Sequence, residues 1–320
     1  MDLLNRIIVE RKKGKRRVIE REFSSLLLRG RIKGAFLSIW IEEEYRKDTL
    51  QAQERNLALI LTAIREFKES SKAMVFVKTA EDFKKALESD GLFFLLSMEG
   101  LDGIGDKTEL IYVLDELGVR MISLTWNNSN AFARGTYGEG SFSLTDLGKE
   151  AIKIMEELNL ILDLAHLCDE AFWDALKAYN GETVVVSHTA VRSLCKHPRN
   201  LTDDMIKAIA ERGGIIGIAA ISPFISADKK ATLSDFISHI KYLSDLVGVE
   251  HVALGLDYEC FLPQNTLTTD FPPVEGLECL EESANILHAL NKEGFSQEEI
   301  EKIAHLNWER IILKSLSSRK

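Results

Sequence analysis

Two histidines and two carboxylates each follow an apolar run of the sequence, close to the point where that run ends. The four residues are Glu99, His166, His188 and Asp257. Imidazole and carboxylate groups are good ligands for zinc, and one carboxylate can bridge two ions. Bound ions lower the pKa of a water molecule, and an Asp that binds no ion can pass a proton to a leaving amine. The set is typical of a hydrolytic metal site.

The apolar runs indicate how these residues come together. They lack the alternation of polar and apolar residues that half-exposed strands show, which is typical of strands buried on both faces of a parallel sheet. The seven runs are Gly34–Ile41, Leu92–Met98, Met121–Thr125, Ile161–Leu164, Thr183–Ser187, Gly214–Ile218 and Val252–Leu256.

Amphipathic stretches that predict helices lie between and after these runs. They are Thr49–Phe67, Leu144–Leu158, Asp169–Tyr179, Thr202–Arg212, Leu233–Val247, Glu275–Lys292 and Ser296–Leu313. Helix starts are indicated at Thr202, at Ser234 and at Ser296, where Glu299 completes a capping box. The alternation of strands and helices predicts an α/β protein with right-handed crossovers.

A closed (β/α)8 TIM barrel needs eight strands, and the sequence shows seven. The eighth is either the weaker run Ala73–Val77 or a strand that precedes Met1. In such a barrel the active site lies at the carboxyl ends of the strands, where the two histidines and two carboxylates stand. Because we see no repeat, low-complexity block or linker, we expect one domain over residues 1–320.

A lone histidine after a strand is more commonly a hydrogen-bonded core residue than a metal ligand. Two histidines and two carboxylates at four separate strand ends favour the metal site. The other five histidines lie in predicted helices, in a loop or before the last strand, and we assign none of them to the metal: His197, His239, His251, His288 and His305.

The composition excludes several classes of partner. A net charge of -10 and a pI of about 5.4 argue against a nucleic-acid partner and against attraction to an anionic membrane. No secretory signal is visible, and no apolar run approaches the ~20 residues of a membrane span. The four cysteines form no CxxC pair, so we expect isolated reduced thiols and a cytoplasmic setting.

Arg199 follows the run Thr183–Ser187 and His188, and the segment between them stays at the same rim of the predicted barrel. A guanidinium there could hold a substrate carboxylate through two hydrogen bonds. The alternative is a surface arginine paired with Asp203 or Asp204, since exposed ion pairs are common and weak.

These segments resemble the membrane dipeptidase (renal dipeptidase) family of metallopeptidases. The resemblance runs from Asp2 to about Leu313 and is strongest at the segments 97–100, 118–127, 144–148, 162–166, 186–189, 199–201 and 255–258. It implies a (β/α)8 barrel with two zinc ions that hydrolyses dipeptides, often with a D-residue at the C-terminal position. It implies a small peptide as substrate and allows a homodimer.

The resemblance also implies a role for each matching residue. Glu99 would bridge both zinc ions, and His166 and His188 would bind the second one. Arg199 would hold the terminal carboxylate of the substrate. A zinc-activated bridging water would attack the scissile carbonyl, and Asp257 would carry its proton to the leaving amine.

The first departure from the family is at the start of the chain. Family members carry a His-x-Asp motif after the first strand, with both residues on the first zinc. Here Asp2 takes the place of the ligand Asp, and the His would stand one residue before Met1. We therefore hypothesise that the sequence starts late, with the native start roughly ten residues upstream. As it stands, the first zinc site would be impaired.

Two further departures concern the rim. Trp126 stands where the animal dipeptidases have a His, as it does in many bacterial-type relatives, and we group Trp126 and Asn127 with the substrate-binding residues. After Asp257, the sequence has Glu259 and Cys260 where the family usually has Asp and Gly. Substrate preference could change with this loop.

Three other functions stay open. One is a metal-dependent amidohydrolase that acts on an ester, a lactone or a cyclic amide. Another is a non-catalytic relative, if the ligand His is truly missing. The third is a peptide-carrying module that uses Arg199 alone.

Overall fold

Parallel β-strands form the centre of the molecule. The computed structural model describes residues 3–71, 74–227, 230–261 and 271–317. Its strands are β1 (Gly34–Trp40), β2 (Met74–Phe76), β3 (Leu92–Glu99), β4 (Val119–Ser123), β5 (Ile161–Asp163), β6 (Val184–Thr189), β7 (Ile215–Ile218) and β8 (Val252–Leu254). All seven apolar runs of the sequence contain a strand, so that prediction is confirmed.

The strands pair in the order β1-β3-β4-β5-β6-β7-β8, with every pair parallel. This curled sheet of seven strands with helices around it is the α/β architecture of a TIM-type barrel. Within the described residues, β1 and β8 are the two ends of the path.

The weak run Ala73–Val77 does not supply the eighth barrel strand. Its residues Met74–Phe76 form β2, while Ala73 lies outside the described residues. β2 pairs with the first residues of β3, from Leu92 to Phe94, on the edge that β4 occupies further along. A three-residue strand in that place lengthens the sheet locally and leaves the path from β1 to β8 unchanged.

Helices connect and cover the strands. They are α1 (Leu3–Lys12), α2 (Ser24–Arg29), α3 (Glu43–Arg46), α4 (Thr49–Glu69), α5 (Ala80–Glu88), α6 (Leu110–Leu117), α7 (Asp146–Glu157), α8 (Asp169–Ala178), α9 (Asp203–Glu211), α10 (Ser222–Ile225), α11 (Leu233–Val247), α12 (Ala284–Lys292), α13 (Gln297–Glu301) and α14 (Asn307–Ser317). No helix within the described ranges is long and apolar enough to cross a membrane.

The two C-terminal helix predictions were wrong in detail. The stretch Glu275–Lys292 is helical only from Ala284, after a 3-10 turn at Leu280–Ser283. The stretch Ser296–Leu313 is divided into α13 and α14 by a π-helical turn at Lys302–Leu306. The apolar pattern continues through both interruptions, so periodicity alone does not reveal them.

The apolar core has two parts, because successive residues of a buried strand point to opposite faces. Residues such as Leu92, Phe94 and Leu96 of β3 pack outward against the helices. Phe93 and Leu95 belong to an inner cluster with one residue from each of β4 to β8, and α14 closes it. The inner core thus fills one end of the barrel and leaves the carboxyl ends of the strands for a site.

Two cysteines form a disulfide, contrary to the expectation of four isolated thiols. Cys260, after β8, is joined to Cys279, before α12, with their Cα atoms 5.6 Å apart. Cys168 and Cys195 are free and buried. The prediction failed because this pairing is a tertiary contact between segments 19 residues apart, which spacing does not reveal. The cytoplasmic setting loses the support of reduced thiols and stays a prediction.

Candidate metal centre

Three of the four predicted strand-end residues meet at the carboxyl end of the sheet. Glu99 is the last residue of β3, His188 lies near the end of β6, and His166 follows β5 closely. Their ligand atoms all lie within 4.8 Å of one another. The Nε2 atom of His166 is 2.8 Å from Glu99 Oε1 and 2.8 Å from His188 Nε2, and His188 Nε2 is 3.6 Å from Glu99 Oε1.

The outer nitrogen of His166 is held by Asn127. Nδ1 of His166 lies 2.9 Å from Asn127 Oδ1, and the Arg199 guanidinium donates to the same oxygen at 3.3 Å. Since an amide oxygen only accepts hydrogen bonds, Nδ1 of His166 carries the hydrogen. The Nε2 lone pair therefore faces the cluster.

The outer nitrogen of His188 is held in the same sense by Ser187. The Ser187 hydroxyl donates its one hydrogen to Asp163 Oδ2, so its oxygen accepts from Nδ1 of His188 at 2.8 Å. Asp163 is buried, and its Oδ1 accepts from the backbone N–H groups of Ala165 and Ser187. This chain of contacts leaves the Nε2 lone pair of His188 directed at the cluster.

These residues fit a divalent metal ion. Burial, and next the charge of Arg199, lower the pKa of His166 well below its usual value, so its imidazole is neutral. Ser38 donates to the other oxygen of Glu99 at 2.8 Å. Two nitrogen lone pairs and one carboxylate oxygen converge, an arrangement that is repulsive without a cation. Nitrogen and carboxylate donors in this number suit zinc and similar ions, with the outer nitrogens fixed by partners.

His166 and Asp257 share an unusual backbone conformation. Their φ angles are 70° and 53°, in the left-handed region that non-glycine residues seldom adopt. Such residues cost roughly 1–3 kcal/mol each and cluster at functional sites. The conformation therefore marks two of the residues that the sequence singled out.

Arg199 lies in the site rather than on the surface. The residue is only 8% exposed. Nη2 donates to the carbonyl of His188 at 3.4 Å, and the guanidinium lies 5.2 Å from the Phe224 ring centroid. The alternative of a surface arginine paired with Asp203 or Asp204 is wrong, because Arg199 is buried and its guanidinium donates to Asn127 and His188.

The other predicted residues lie around the cluster. Asp257 is half-buried, outside the triad, and its charge acts on Arg199. The Trp126 ring is 6.0 Å from the His166 ring and 5.5 Å from that of Trp40. The prediction that Asp2 is a ligand falls outside the described residues.

Two features of the site were missed by the sequence reasoning. One is the Asp163–Ser187 contact behind His188. The sequence held a signal for this contact, since Ser187 directly precedes His188 and Asp163 stands three residues before His166. The other is Arg46 of α3, whose guanidinium carbon lies 4.4 Å from the Trp126 ring centroid. No motif surrounds Arg46.

Comparison with known protein families tests the resemblance to the membrane dipeptidases. The model of the membrane dipeptidase family (peptidase family M19) matches residues 15–319. The chain belongs to this family. Its members are metal-dependent, and the protein is accordingly a metal-dependent hydrolase of the dipeptidase and amidohydrolase type. The resemblance inferred from the sequence is confirmed.

The chain is also similar to several proteins of known sequence. A Klebsiella pneumoniae protein described as an uncharacterized protein in the pqqA 5′ region is 30% identical over 244 residues, which is 73% of this chain and 86% of the relative. The dipeptidase tcpJ of Claviceps purpurea is 25% identical over 295 residues, 89% of this chain and 67% of that protein.

Solved structures confirm the fold. The crystal structure of a metallopeptidase named dipeptidase AC matches with a TM-score of 0.86 at 20% identity, over 99% of this chain and 97% of that one. A Rhodobacter sphaeroides metallopeptidase, liganded with a phosphinate mimic of L-Ala-D-Ala, matches with a TM-score of 0.85 at 19% identity, over 98% and 97%.

Proposed function

We propose that the protein is a zinc dipeptidase that cleaves dipeptides, including those with a D-residue at the C-terminal position. The observation that carries the proposal is the convergence of Glu99, His166 and His188 within 4.8 Å, with both outer nitrogens already occupied by hydrogen bonds. In the proposal, these three residues bind the metal together with Asp2.

Zinc bound at such a site supplies a Lewis acid and a water molecule of lowered pKa. The protein's own part is to fix the ligands. Asn127 and Ser187 hold the imidazoles, and Ser38 holds the carboxylate of Glu99. Fixed ligands keep the donor set ready for the ion.

Arg199 is proposed to hold the C-terminal carboxylate of the substrate. It is buried beside His188 and Asn127, so a carboxylate bound there would be placed next to the cluster. A guanidinium in a desolvated place binds a carboxylate strongly and in a defined direction. This anchor favours short peptides over proteins.

Asp257 is proposed to move the proton. It follows β8 at the same end of the sheet, it lies outside the cluster of Glu99, His166 and His188, and its backbone is held in a left-handed conformation. A carboxylate at this rim can accept a proton and return it to the leaving amine. We further propose that residues 1–320 form one dipeptidase domain, a view supported by the family match over residues 15–319.

The test is hydrolysis of L-Ala-D-Ala and L-Ala-L-Ala by the purified protein before and after treatment with a zinc chelator. We expect turnover that is lost on chelation and restored by added zinc, since the donor set suits that ion. A His188→Ala variant should lose activity, whereas His305→Ala, which changes an exposed histidine paired with Glu309, should keep it.

Turnover that survives complete metal removal would contradict the proposal. So would activity confined to esters, lactones or cyclic amides, with every dipeptide left intact. In that case the same metal centre would belong to another kind of amidohydrolase.

A further inference from the structure

Arg46 places a second cation beside the metal centre. It is the last residue of α3, directly after β1. Its guanidinium carbon lies 4.4 Å from the centroid of the Trp126 ring, and that ring is 6.0 Å from the ring of His166. A single indole therefore separates this cation from the proposed metal ligands.

One edge of the Arg46 guanidinium, formed by Nε and Nη2, has the geometry that binds a carboxylate. Nε and Nη2 are both buried and find no hydrogen-bond acceptor among the described residues. Elsewhere in the chain the same two atoms bind a carboxylate side by side, from Arg17 to Glu20 at 2.7 Å each and from Arg55 to Glu42. Two parallel N–H groups match the two oxygens of a carboxylate.

The neighbouring acids do not occupy this edge. Asp102, Glu43, Glu99 and Glu42 act on Arg46 through their charge, yet none of them is a hydrogen-bond partner. Glu42 is bound by Arg55, Glu99 belongs to the metal cluster, and Asp102 accepts from Asn130. Nε and Nη2 of Arg46 are shielded from water, and this burial lowers the pKa of the guanidinium. A desolvated cation with an unmatched edge is costly unless a ligand supplies the anion.

Along the order of strands, Arg46 and Arg199 lie on either side of the strands that carry Glu99 and His166. Arg46 follows β1, at one end of the sheet path, and Arg199 follows β6, near the other end. Glu99 and His166 lie between them, on β3 and after β5. A dipeptide held by its C-terminal carboxylate at Arg199 would have its peptide bond at the cluster. Its N-terminal residue would then extend towards Trp126 and Arg46.

We infer that Arg46 is a specificity-determining residue that binds the side-chain carboxylate of an acidic N-terminal residue, Asp or Glu, in the substrate. The Trp126 ring stabilises the guanidinium of Arg46 through a cation–π contact. The inference rests on the proposed dipeptidase function and names its substrate class. A basic N-terminal residue would be disfavoured by repulsion from the same group.

The experiment compares dipeptides that differ only in charge at the N-terminal side chain. We expect the wild-type protein to hydrolyse L-Glu-L-Ala with a kcat/KM about tenfold or more above that of L-Gln-L-Ala, as a charge-assisted pair allows. Arg46→Met should abolish the preference by lowering kcat/KM for L-Glu-L-Ala, while L-Gln-L-Ala changes little. Arg65→Met removes an exposed arginine of α4 and should leave the preference intact.

A binding measurement separates this inference from the proposed function. Two phosphinate pseudodipeptides with a Glu or a Gln side chain in the N-terminal position are titrated calorimetrically into wild-type and Arg46→Met protein. Tighter binding of the Glu compound that disappears in Arg46→Met supports the inference even if no dipeptide is cleaved. Equal binding of the two compounds, no binding of either, or a preference that persists in Arg46→Met overturns it, even if dipeptides are cleaved.

Discussion

The imidazoles of His166 and His188 are oriented by what lies behind them. An amide oxygen fixes the first, and a serine backed by a buried carboxylate fixes the second. In metal sites such outer partners set the tautomer of the ligand and raise its basicity. The site therefore extends beyond the three ligands to Asn127, Ser187 and Asp163.

Removing the partner of His188 should weaken the metal site without deleting a ligand. We expect Ser187→Ala to lower zinc affinity about 10–100-fold, because the Nδ1 hydrogen of His188 would lose its acceptor. Competition with a zinc-binding dye measures the change. Ser193→Ala, in an exposed serine that bonds Asp203, is the matched control and should bind zinc as the wild type does. Unchanged affinity in Ser187→Ala would show that the contact does not orient the ligand.

Helix starts show where local sequence signals are sufficient. Thr202 accepts from the N–H of Met205, and Ser296 forms the expected capping box with Glu299, so both predictions are confirmed. For α11 the signal was placed too late, since Thr232 and Asp235 form the capping box and Ser234 is exposed inside the helix. Thr232 and Ser234, two positions apart, can each begin a helix, and only the backbone decides between them.

The two hydroxyls of α11 should differ in their effect on stability. We expect Thr232→Ala to lower the free energy of unfolding by about 1 kcal/mol, because an N–H at the helix start loses its acceptor. Ser234→Ala should stay within about 0.5 kcal/mol of the wild type, as exposed positions usually do. Urea denaturation of both variants measures this. A larger loss of unfolding free energy in Ser234→Ala than in Thr232→Ala would show that Ser234, and not Thr232, caps the helix.

The strand ends were predictable from the sequence, but the side chains that cross between elements were not. Glu99, His166 and His188 each follow an apolar run, and in a parallel sheet such ends meet at one edge. Arg46 reaches Trp126 only because β1, β3 and β4 are neighbours in the sheet. Its four-residue helix has no periodic pattern from which that contact could be inferred.

At the scale of the whole molecule, the disulfide constrains the segment that follows β8, the last strand of the sheet path. The bond between Cys260 and Cys279 joins the segment that follows Asp257 to the turn before α12. It thereby ties the last barrel strand to the C-terminal helices. The prediction of four reduced thiols was wrong because the number and spacing of the cysteines carry no information on which segments the fold brings together.

The disulfide should stabilise the fold and leave two thiols free. We expect Cys279→Ser to lower the free energy of unfolding by about 3 kcal/mol, mainly by releasing the constraint on the unfolded chain. Thiol titration of the denatured, unreduced protein should find two free groups, Cys168 and Cys195. Four titratable thiols would instead restore the expectation drawn from the sequence.

The central claim is that Glu99, His166 and His188 hold the metal. Anomalous diffraction at the zinc absorption edge, from a crystal grown with zinc, tests it most directly. We predict a peak about 2.0–2.2 Å from Oε1 of Glu99 and from Nε2 of both histidines. A zinc peak elsewhere in the molecule, or none between these three side chains, would contradict it.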